Sequence, residues 1–309
     1  MDKEIYDIAI IGGGPAGMTA GIYGGRAQLR TCILEGMSTG GQMFNTATIE
    51  NYPGFSRIDG PGLSQKMEAQ AREWGVEVQF GHVTEIRQQG DLFDVITLGE
   101  ETYQARTVIL ATGSTPKKLG VPGEVEFAGR GVSYCATCDG AFFREKDVAV
   151  VGGGDSAVEE SLYLTRFVNR VTIIHRRDQL RATKHLQERA FADPHIELLW
   201  DSEVEAIEGE ETVKQLRIKN KKTGTVSILP ADGVFIYVGM RPNTEFLHGL
   251  VKLDPWGYIE AGEDTLTSMP GIFAAGDIRS KGLRQIVTAV ADGAVAAMAA
   301  ERYLGERGR

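Results

Sequence analysis

The chain has 309 residues, of which 42% are hydrophobic and 39 are glycine, and its formal net charge at pH 7 is −9. This length suits two domains, each large enough to bury a core, and the glycine content is typical of many tight strand-to-helix turns. The negative charge argues against nucleic acid as a main partner. No apolar run approaches the roughly 20 residues of a membrane span, and the first residues lack a signal-peptide core. We therefore expect a cytoplasmic protein that does not bind membranes.

A glycine-rich motif follows the first apolar run of the chain. Residues 7–17 read DIAIIGGGPAG, a predicted strand that leads into a GxGxxG turn and a helix. In such a unit Gly12 makes the tight turn, Gly14 lets backbone N–H groups approach a pyrophosphate, and Gly17 allows close helix packing. The next strand ends in Glu35, where a carboxylate accepts from the ribose hydroxyls of an unphosphorylated adenosine. The pattern predicts a dinucleotide site, with an ordinary glycine turn as the alternative.

The same motif recurs later, at residues 152–157, where GGGDSA follows a second β-branched run. Its partner strand ends in His-Arg-Arg at 175–177, the place that Glu35 occupies in the first copy, and Arg181 follows one turn later. Guanidinium groups pair bidentately with a 2′-phosphate, whereas a carboxylate would repel it. The second site is therefore predicted to prefer NADPH to NADH. A solvated basic face is the alternative.

Three cysteines are too few for a disulfide framework. Cys32 lies in an apolar strand and is predicted to be buried. Cys135 and Cys138 form a CxxC pair that can cycle between dithiol and disulfide. We predict no metal site, because the chain has no second CxxC and no histidine pair at a ligand spacing. Asp139 is a candidate proton donor to a leaving thiolate, or else a cap of the Gly140 turn.

Buried strands that end at glycine indicate where the chain passes from one domain to the other. The strand that ends at Gly113 is followed by STPKK, and the strand that ends at Gly239 is followed by MRPN. Later, residues 271–277 repeat the pattern and residues 285–303 are predicted to form an Ala-rich helix. These last segments are predicted to return to the first domain, so that the second domain is an insertion.

This set of motifs resembles the low-molecular-weight thioredoxin reductases of bacteria, plants and fungi over the whole chain. The residues that carry the resemblance are the two glycine motifs, Glu35, Gly40-Gly41-Gln42, Asn51, Ala111-Thr112-Gly113, the CATCD segment at 135–139, His175-Arg176-Arg177 with Arg181, Ala275-Gly276-Asp277, and Arg284-Gln285. Larger disulfide reductases instead carry a more widely spaced cysteine pair near the first glycine motif, and this chain has none there.

The resemblance implies an α/β fold with two Rossmann-like dinucleotide-binding domains, the NADPH domain being inserted into the FAD domain. The FAD domain would comprise residues 1–116 and 244–309, and the NADPH domain, which carries the CxxC, residues 117–243. The implied FAD contacts are Gly12, Gly14, Pro15, Ala16, Gly17, Glu35, Gly36, Gly41, Gln42, Asn51, Val83, Ala111, Thr112, Gly113, Gly276, Asp277, Arg284, Gln285 and Ile286. The implied NADPH contacts are Gly152, Gly154, Asp155, Ser156, Ala157, Glu159, His175, Arg176, Arg177 and Arg181. Asn51 could also simply start a turn.

In such a reductase NADPH reduces the flavin, and the flavin opens the Cys135–Cys138 disulfide. By resemblance Cys138 would face the flavin, Cys135 would attack the disulfide of thioredoxin, and Asp139 would protonate the leaving thiolate. The NADPH domain would rotate between the half-reactions, with hinges at 115–118 and 239–243.

The resemblance also implies partners. They are thioredoxin or a thioredoxin-like protein and a second copy of the chain, which would pair through the FAD domain. Arg130, Phe142 and Phe143 are candidates for thioredoxin contact, with ordinary packing under the dithiol as the alternative.

Three other functions remain open. The chain could be the flavin domain of an alkyl hydroperoxide reductase, which serves a different disulfide carrier, or a flavoprotein with another electron donor such as ferredoxin. It could also be a non-enzymatic NADP sensor. The Ala136-Thr137 pair between the cysteines and the retained arginines favour an NADPH-dependent thioredoxin reductase.

Overall fold

The computed structural model describes residues 5–46, 49 and 51–308, without the side chains of Thr137 and Cys138. Its strands are β1 (Ile5–Ile11), β2 (Thr31–Glu35), β3 (Glu77–Phe80), β4 (Val83–Gln89), β5 (Leu92–Thr97), β6 (Thr102–Leu110), β7 (Ser114–Pro116), β8 (Val132–Ser133), β9 (Asp147–Gly152), β10 (Arg170–Ile174), β11 (Ile196–Leu199), β12 (Ser202–Gly209), β13 (Val213–Asn220), β14 (Val226–Pro230), β15 (Gly233–Tyr237), β16 (Met240–Pro242) and β17 (Ile272–Ala274). Its α-helices are α1 (Pro15–Arg26), α2 (Gly60–Glu73), α3 (Ala136–Asp139), α4 (Asp155–Leu164), α5 (Lys184–Ala192) and α6 (Ile286–Glu306).

Two compact units divide the chain. One unit comprises Met1–Thr115 and Arg241–Arg309, and the other comprises Pro116–Met240. The predicted boundaries fell after residues 116 and 243, whereas the observed changes fall inside β7 and β16. These two short strands pair with each other. The predicted α/β fold with parallel sheets is confirmed.

The first unit is built on a seven-stranded sheet with the order β3-β2-β1-β6-β5-β4, in which β17 also pairs with β6. Successive side chains of a strand point to opposite faces, and β1 shows this directly. Ile8 and Ile10 pack towards α1, α2 and α6, whereas Ala9 and Ile11 pack into the core on the other face. Both faces of this part of the sheet are buried, as is typical of parallel strands.

The second unit repeats this arrangement on a smaller scale. Its five-stranded sheet has the order β11-β10-β9-β15-β8, and each of its pairings is parallel. One face packs on α4 and α5 around Val150 and Phe235. The other face packs on the three antiparallel strands β12–β14 around Ala149, Val151 and Ile236. In the described part of the chain, no helix is long and apolar enough to cross a bilayer.

Helices α1 and α6 of the first unit touch through their backbones. A Cβ on Gly293 of α6 would overlap the carbonyl oxygen of Ala16 and lie 3.1 Å from the backbone nitrogen of Ala20. The absence of a side chain at Gly293 therefore sets how closely α6 approaches the start of α1.

We predict that Gly293→Ala destabilises the protein by about 1–3 kcal/mol, because the new methyl group forces α1 and α6 apart. Gly305→Ala is the matched control in the same helix, since a Cβ there would meet nothing within 4 Å. The control is expected to be neutral or to stabilise by up to about 1 kcal/mol. Chemical unfolding of both variants measures the difference, and equal free energies of unfolding would contradict the close packing.

Candidate functional site: two dinucleotide turns and a disulfide

The first glycine turn is shaped by backbone contacts. Gly12 leaves β1 with φ +103°, and a Cβ there would lie 2.5 Å from the carbonyl oxygen of Ala111. A Cβ on Gly17 would overlap the carbonyl oxygen of Gly12. Gly14, the N-cap of α1, is different, because a Cβ there would meet nothing within 4 Å. The helix N-terminus is therefore open on this side, as a pyrophosphate requires.

Glu35 ends β2 beside this turn, where the sequence predicted an adenosine contact. Its Oε2 accepts from the Gly13 N–H at 2.7 Å, and its Oε1 accepts from the Met37 N–H at 3.0 Å. A carboxylate has about four lone-pair positions, so these two bonds fix its orientation and leave capacity for ribose hydroxyls.

Other predicted FAD contacts lie in the same unit, and the Gly40–Gln42 segment lies against the turn. A Cβ on Gly41 would be 3.5 Å from the Cα of Gly14, which places the Gly40–Gln42 segment against the turn. The Gly40 N–H donates to the Gly13 carbonyl oxygen at 2.7 Å. Pro15 and Ala16 open α1, Gly36 follows β2, Val83 begins β4, Ala111, Thr112 and Gly113 follow β6, and Ile286 begins α6.

Hydrogen bonds between residues far apart in sequence connect further candidates within the first unit. The Asn51 Nδ2 donates to the Gln285 Oε1 at 3.1 Å, although 234 residues separate the two. The Thr112 hydroxyl donates to the Asn243 carbonyl oxygen at 2.8 Å, and the Asn243 Nδ2 donates to the Thr112 carbonyl oxygen at 2.7 Å. The sequence indicated Asn243 only as a hinge residue; no local motif predicts this contact.

Asp277 and Arg284 carry buried polar atoms without a hydrogen-bond partner. These atoms are the Asp277 Oδ1 and the Arg284 Nε. Burial raises the pKa of the Asp277 carboxyl, while the charges of Lys281 and Arg284 oppose that rise. Unpaired buried polar atoms are uncommon in proteins and indicate a missing partner. The hydroxyl-rich ribityl chain of FAD fits the Asp277 oxygen, so the residues present fit this cofactor.

The second glycine turn repeats the first in the other unit. Gly154 is the N-cap of α4, and a Cβ there would meet nothing within 4 Å. The Gly153 carbonyl oxygen accepts from the Arg181 N–H at 2.6 Å, and the Asp155 Oδ1 accepts from the Thr183 N–H at 2.7 Å. These bonds attach the segment that carries Arg181 to the turn. Among the other predicted NADPH contacts, Ala157 is buried, whereas Ser156 and Glu159 are exposed.

The basic residues of the second site divide into two kinds. Arg176, Arg177 and Arg181 are exposed, as a phosphate-binding group must be. His175 is only 4% exposed, and a Cβ on Gly153 would overlap its ring. Burial lowers the pKa of His175, and the nearby arginine charges lower it further. His175 therefore packs against the glycine turn, and the exposed positive charge at this site comes from the arginines.

Cys135 is disulfide-bonded and lies just before α3. Cys138, its predicted partner, lies in α3, and its side chain is outside the described part of the chain. The Ser133 hydroxyl donates to the Asp139 Oδ2 at 2.6 Å and accepts from the Cys135 N–H at 3.1 Å. Ser133 thus connects the candidate proton donor to the cysteine. Cys32 is free and buried as predicted, and burial raises its pKa to about 12.

Two largely buried polar side chains of the second unit, Tyr237 and Glu160, were not predicted from the sequence. The Tyr237 hydroxyl accepts from the Ala136 N–H at 2.7 Å, at the start of α3. Glu160 of α4 has a buried Oε2 without a hydrogen-bond partner, and its charge acts on Tyr237. Burial, with a smaller effect of Glu159, raises the pKa of Glu160 to about 7.

The three candidate docking residues differ in exposure and in packing. Phe142 is 76% exposed, whereas Phe143 is 8% exposed and packs edge-on against Phe235 with ring centroids 5.3 Å apart. Arg130 is held by the Glu126 carbonyl oxygen, to which it donates at 2.5 Å. Phe143 is therefore a packing residue of the second unit, and Phe142 is the aromatic side chain that a partner can reach.

Known proteins match the chain over nearly its whole length. The family model described as "Pyridine nucleotide-disulphide oxidoreductase" matches residues 6–293. The thioredoxin reductase of Listeria monocytogenes is 52% identical over 306 residues, which cover 99% of this chain and 96% of the relative. That of Bacillus subtilis is 50% identical with the same coverage. The crystal structure of Lactococcus lactis thioredoxin reductase superposes with TM-score 0.88 at 50% identity, covering 97% of this chain and 99% of the other.

The chain belongs to the thioredoxin reductase family. The resemblance that the motifs indicated is thereby confirmed, and so is the prediction of FAD and NADPH as cofactors. In the terms of this family, the described residues of the first unit fit FAD, and the arginines of the second unit fit the phosphate of NADPH. The contacts of individual residues with either cofactor stay predictions.

The buried Oε2 of Glu160 makes the stability of the protein depend on pH. The folded protein holds the Glu160 proton more tightly than the unfolded chain, so its contribution to stability is present below pH 4.5 and is lost as pH rises towards 7. We predict that Glu160→Gln becomes increasingly more stable than the parent protein between pH 5 and pH 8, by a difference on the order of 3 kcal/mol.

Thermal and chemical unfolding across this pH range measure the effect. Glu188→Gln, at an exposed position of α5, is the control and should show no such trend. A difference between the Glu160 variant and the parent that is flat with pH would contradict the assignment.

Proposed function

We propose that the chain is an NADPH-dependent thioredoxin-disulfide reductase. The observation that carries this proposal is the disulfide-bonded Cys135 next to a held carboxylate, in the unit that also bears the second dinucleotide turn. The thioredoxin reductases of Listeria monocytogenes and Bacillus subtilis, each at least 50% identical to this chain, support thioredoxin as the substrate.

The protein's own part in this reaction is to bind and orient two cofactors. FAD and NADPH, when bound, supply the hydride and electron transfer. The α1 N-terminus and Glu35 would hold the adenosine and pyrophosphate end of FAD, and Asp277 would accept a hydrogen bond from its ribityl chain. The α4 N-terminus would hold the pyrophosphate of NADPH. Arg176, Arg177 and Arg181 would pair with its 2′-phosphate, which is the basis of the proposed preference over NADH.

The disulfide chemistry needs two electrons and two protons for each Cys135–Cys138 disulfide that opens to a dithiol. The Cys135 thiolate would then attack one sulfur of the thioredoxin disulfide, forming a mixed disulfide and releasing a thiolate of thioredoxin. Cys138 would attack Cys135 and release the second thiolate. Asp139, whose carboxylate is held by the Ser133 hydroxyl at 2.6 Å, would give a proton to a leaving thiolate when it is in its acid form.

The remaining proposals concern motion and assembly. The connecting strands β7 and β16 contain or adjoin the hinge segments 115–118 and 239–243, and Gly239 has φ +113°. We propose rotation of the NADPH-binding unit on these segments between the half-reactions. We also propose a homodimer through the FAD-binding unit, a cytoplasmic location, and no nucleic-acid or membrane partner.

The arginines provide a test of nucleotide choice. We predict that Arg177→Ala with Arg181→Ala raises the KM for NADPH by roughly 100-fold or more, because each of the two lost charged contacts costs about 1.5–3 kcal/mol. The KM for NADH should change by less than about threefold, since NADH has no 2′-phosphate. Steady-state kinetics with both nucleotides measure this. Arg189→Ala, at an exposed position of α5, is the control, and an equal loss with both nucleotides would contradict the assignment.

Turnover with a protein disulfide tests the proposed activity. Purified protein with NADPH should reduce oxidised thioredoxin catalytically. Cys135→Ser should abolish that turnover while NADPH still bleaches the flavin absorbance, because hydride transfer to the flavin does not use this sulfur. Cys32→Ser, at a buried strand position, should keep turnover. Bleaching by NADPH without any reduction of thioredoxin by the parent protein would contradict the proposed substrate.

A further inference from the structure

Asp292 is a largely buried acid on an otherwise apolar stretch of α6. Between Ile286 and Ala300, α6 contains only apolar or small residues apart from Thr288 and Asp292. The Asp292 side chain is 13% exposed. An ionised carboxylate is retained at such a position only when several donors surround it.

Four hydrogen bonds satisfy this carboxylate. Its Oδ2 accepts from the Gly276 N–H at 2.9 Å, the Lys281 Nζ at 2.8 Å and the Arg279 Nε at 3.2 Å. Its Oδ1 accepts from the Arg279 Nη2 at 3.1 Å. The Arg279 and Lys281 side chains are 7% and 10% exposed, so the ion pairs are shielded from water. We call Arg279, Lys281 and Asp292 the α6 ion cluster.

Arg279 extends the α6 ion cluster to a third segment of the chain. Its Nη1 donates to the carbonyl oxygens of Ala261 and Gly262. Its own carbonyl oxygen accepts from the Arg284 Nη2 at 3.4 Å. The cluster therefore joins α6, the short turn at Gly276–Ile278 and the 261–262 segment.

Asp277 lies directly after the backbone N–H that Asp292 binds. It belongs to the 3-10 turn Gly276–Ile278, and its Oδ1 is buried without a partner. The turn has almost no freedom on its other side, because a Cβ on Gly276 would lie 2.9 Å from the Ala16 Cβ. Asp292 therefore fixes the backbone from which the Asp277 carboxylate projects.

Gly293, the residue after Asp292, sets the position of the first turn of α1. Gly293 packs against the Ala16 carbonyl oxygen, in the first turn of α1. Two consecutive residues of α6 thus hold the pyrophosphate-binding helix and the turn that carries Asp277. This arrangement links the two segments that we propose hold the two ends of FAD.

We propose that Asp292, through Arg279, Lys281 and the Gly276 N–H, is a positioning residue for flavin binding that acts through Asp277. The proposal rests on the proposed placement of FAD beside Asp277. It assigns to the buried ion pairs a role in cofactor affinity that is separate from their effect on stability.

A double-mutant cycle tests this inference on the FAD-containing protein. The dissociation constant of FAD is measured by flavin fluorescence on dilution for the parent, Asp277→Asn, Asp292→Asn and the double variant. We expect Asp292→Asn to weaken FAD binding by roughly tenfold or more. We also expect the double variant to bind FAD no more weakly than Asp277→Asn alone, because both changes remove the same contact.

Two further variants separate positioning from stability. Ala300→Gly removes a buried methyl group from α6 without touching the α6 ion cluster, so it should lower the unfolding midpoint and leave FAD affinity within about twofold. Lys281→Gln keeps the Arg279–Asp292 pair. If Asp292→Asn does not fold, Lys281→Gln takes its place in the cycle, with an expected loss of FAD affinity of about three- to tenfold.

The outcomes are distinct. Multiplicative losses in the double variant, or unchanged FAD affinity in Asp292→Asn, overturn the positioning role. If Asp277→Asn itself leaves FAD affinity unchanged, the proposed placement of FAD beside Asp277 is wrong, whatever Asp292 does.

Discussion

The first dinucleotide turn depends on three close backbone contacts that have no side chain between them. Gly12 lies against the carbonyl oxygen of Ala111, Gly17 against that of Gly12, and Gly293 against that of Ala16. A methyl group at any of these glycines would separate β1, β6, α1 and α6, because their backbones already touch. The N-terminus of α1 is open at Gly14, while these contacts hold the rest of the turn closely packed. The same turn thus combines close backbone packing with an open helix N-terminus, where a phosphate would bind.

The two units use the same turn and differ in the charges beside it. Glu35 ends β2 with a carboxylate that backbone N–H groups hold in place. The equivalent strand of the second unit leads into exposed arginines, and the Arg181 N–H donates to the Gly153 carbonyl oxygen. One geometry would thus present an acceptor for ribose hydroxyls in one unit and, as we propose, donors for a phosphate in the other. The disulfide lies in the second unit, so its thiol chemistry shares a rigid support with the arginine site.

Local sequence motifs indicated the two glycine turns and the cysteine pair, because glycine spacing and strand periodicity are local properties, and they led to the prediction of an inserted second domain. They also singled out Asp277 as a flavin contact, which stays a prediction. They did not predict that Asp292 holds the turn before it, that Asn243 pairs with Thr112, or that Tyr237 binds the Ala136 N–H. Each of these contacts joins side chains to distant backbone atoms, so no spacing in the sequence reports it. His175 was predicted among the NADPH contacts, and its ring is buried against Gly153.

The most direct test of the account is an anaerobic titration of the purified flavoprotein with a chemical reductant, with the electrons taken up per chain counted by flavin absorbance and thiol assay. One flavin and one disulfide per chain predict about four electrons for the parent protein and about two for Cys135→Ser. The additional two electrons should appear as two new thiols. Uptake of about two electrons by the parent, with no new thiols, would show that flavin and disulfide are not coupled and would contradict the proposed relay.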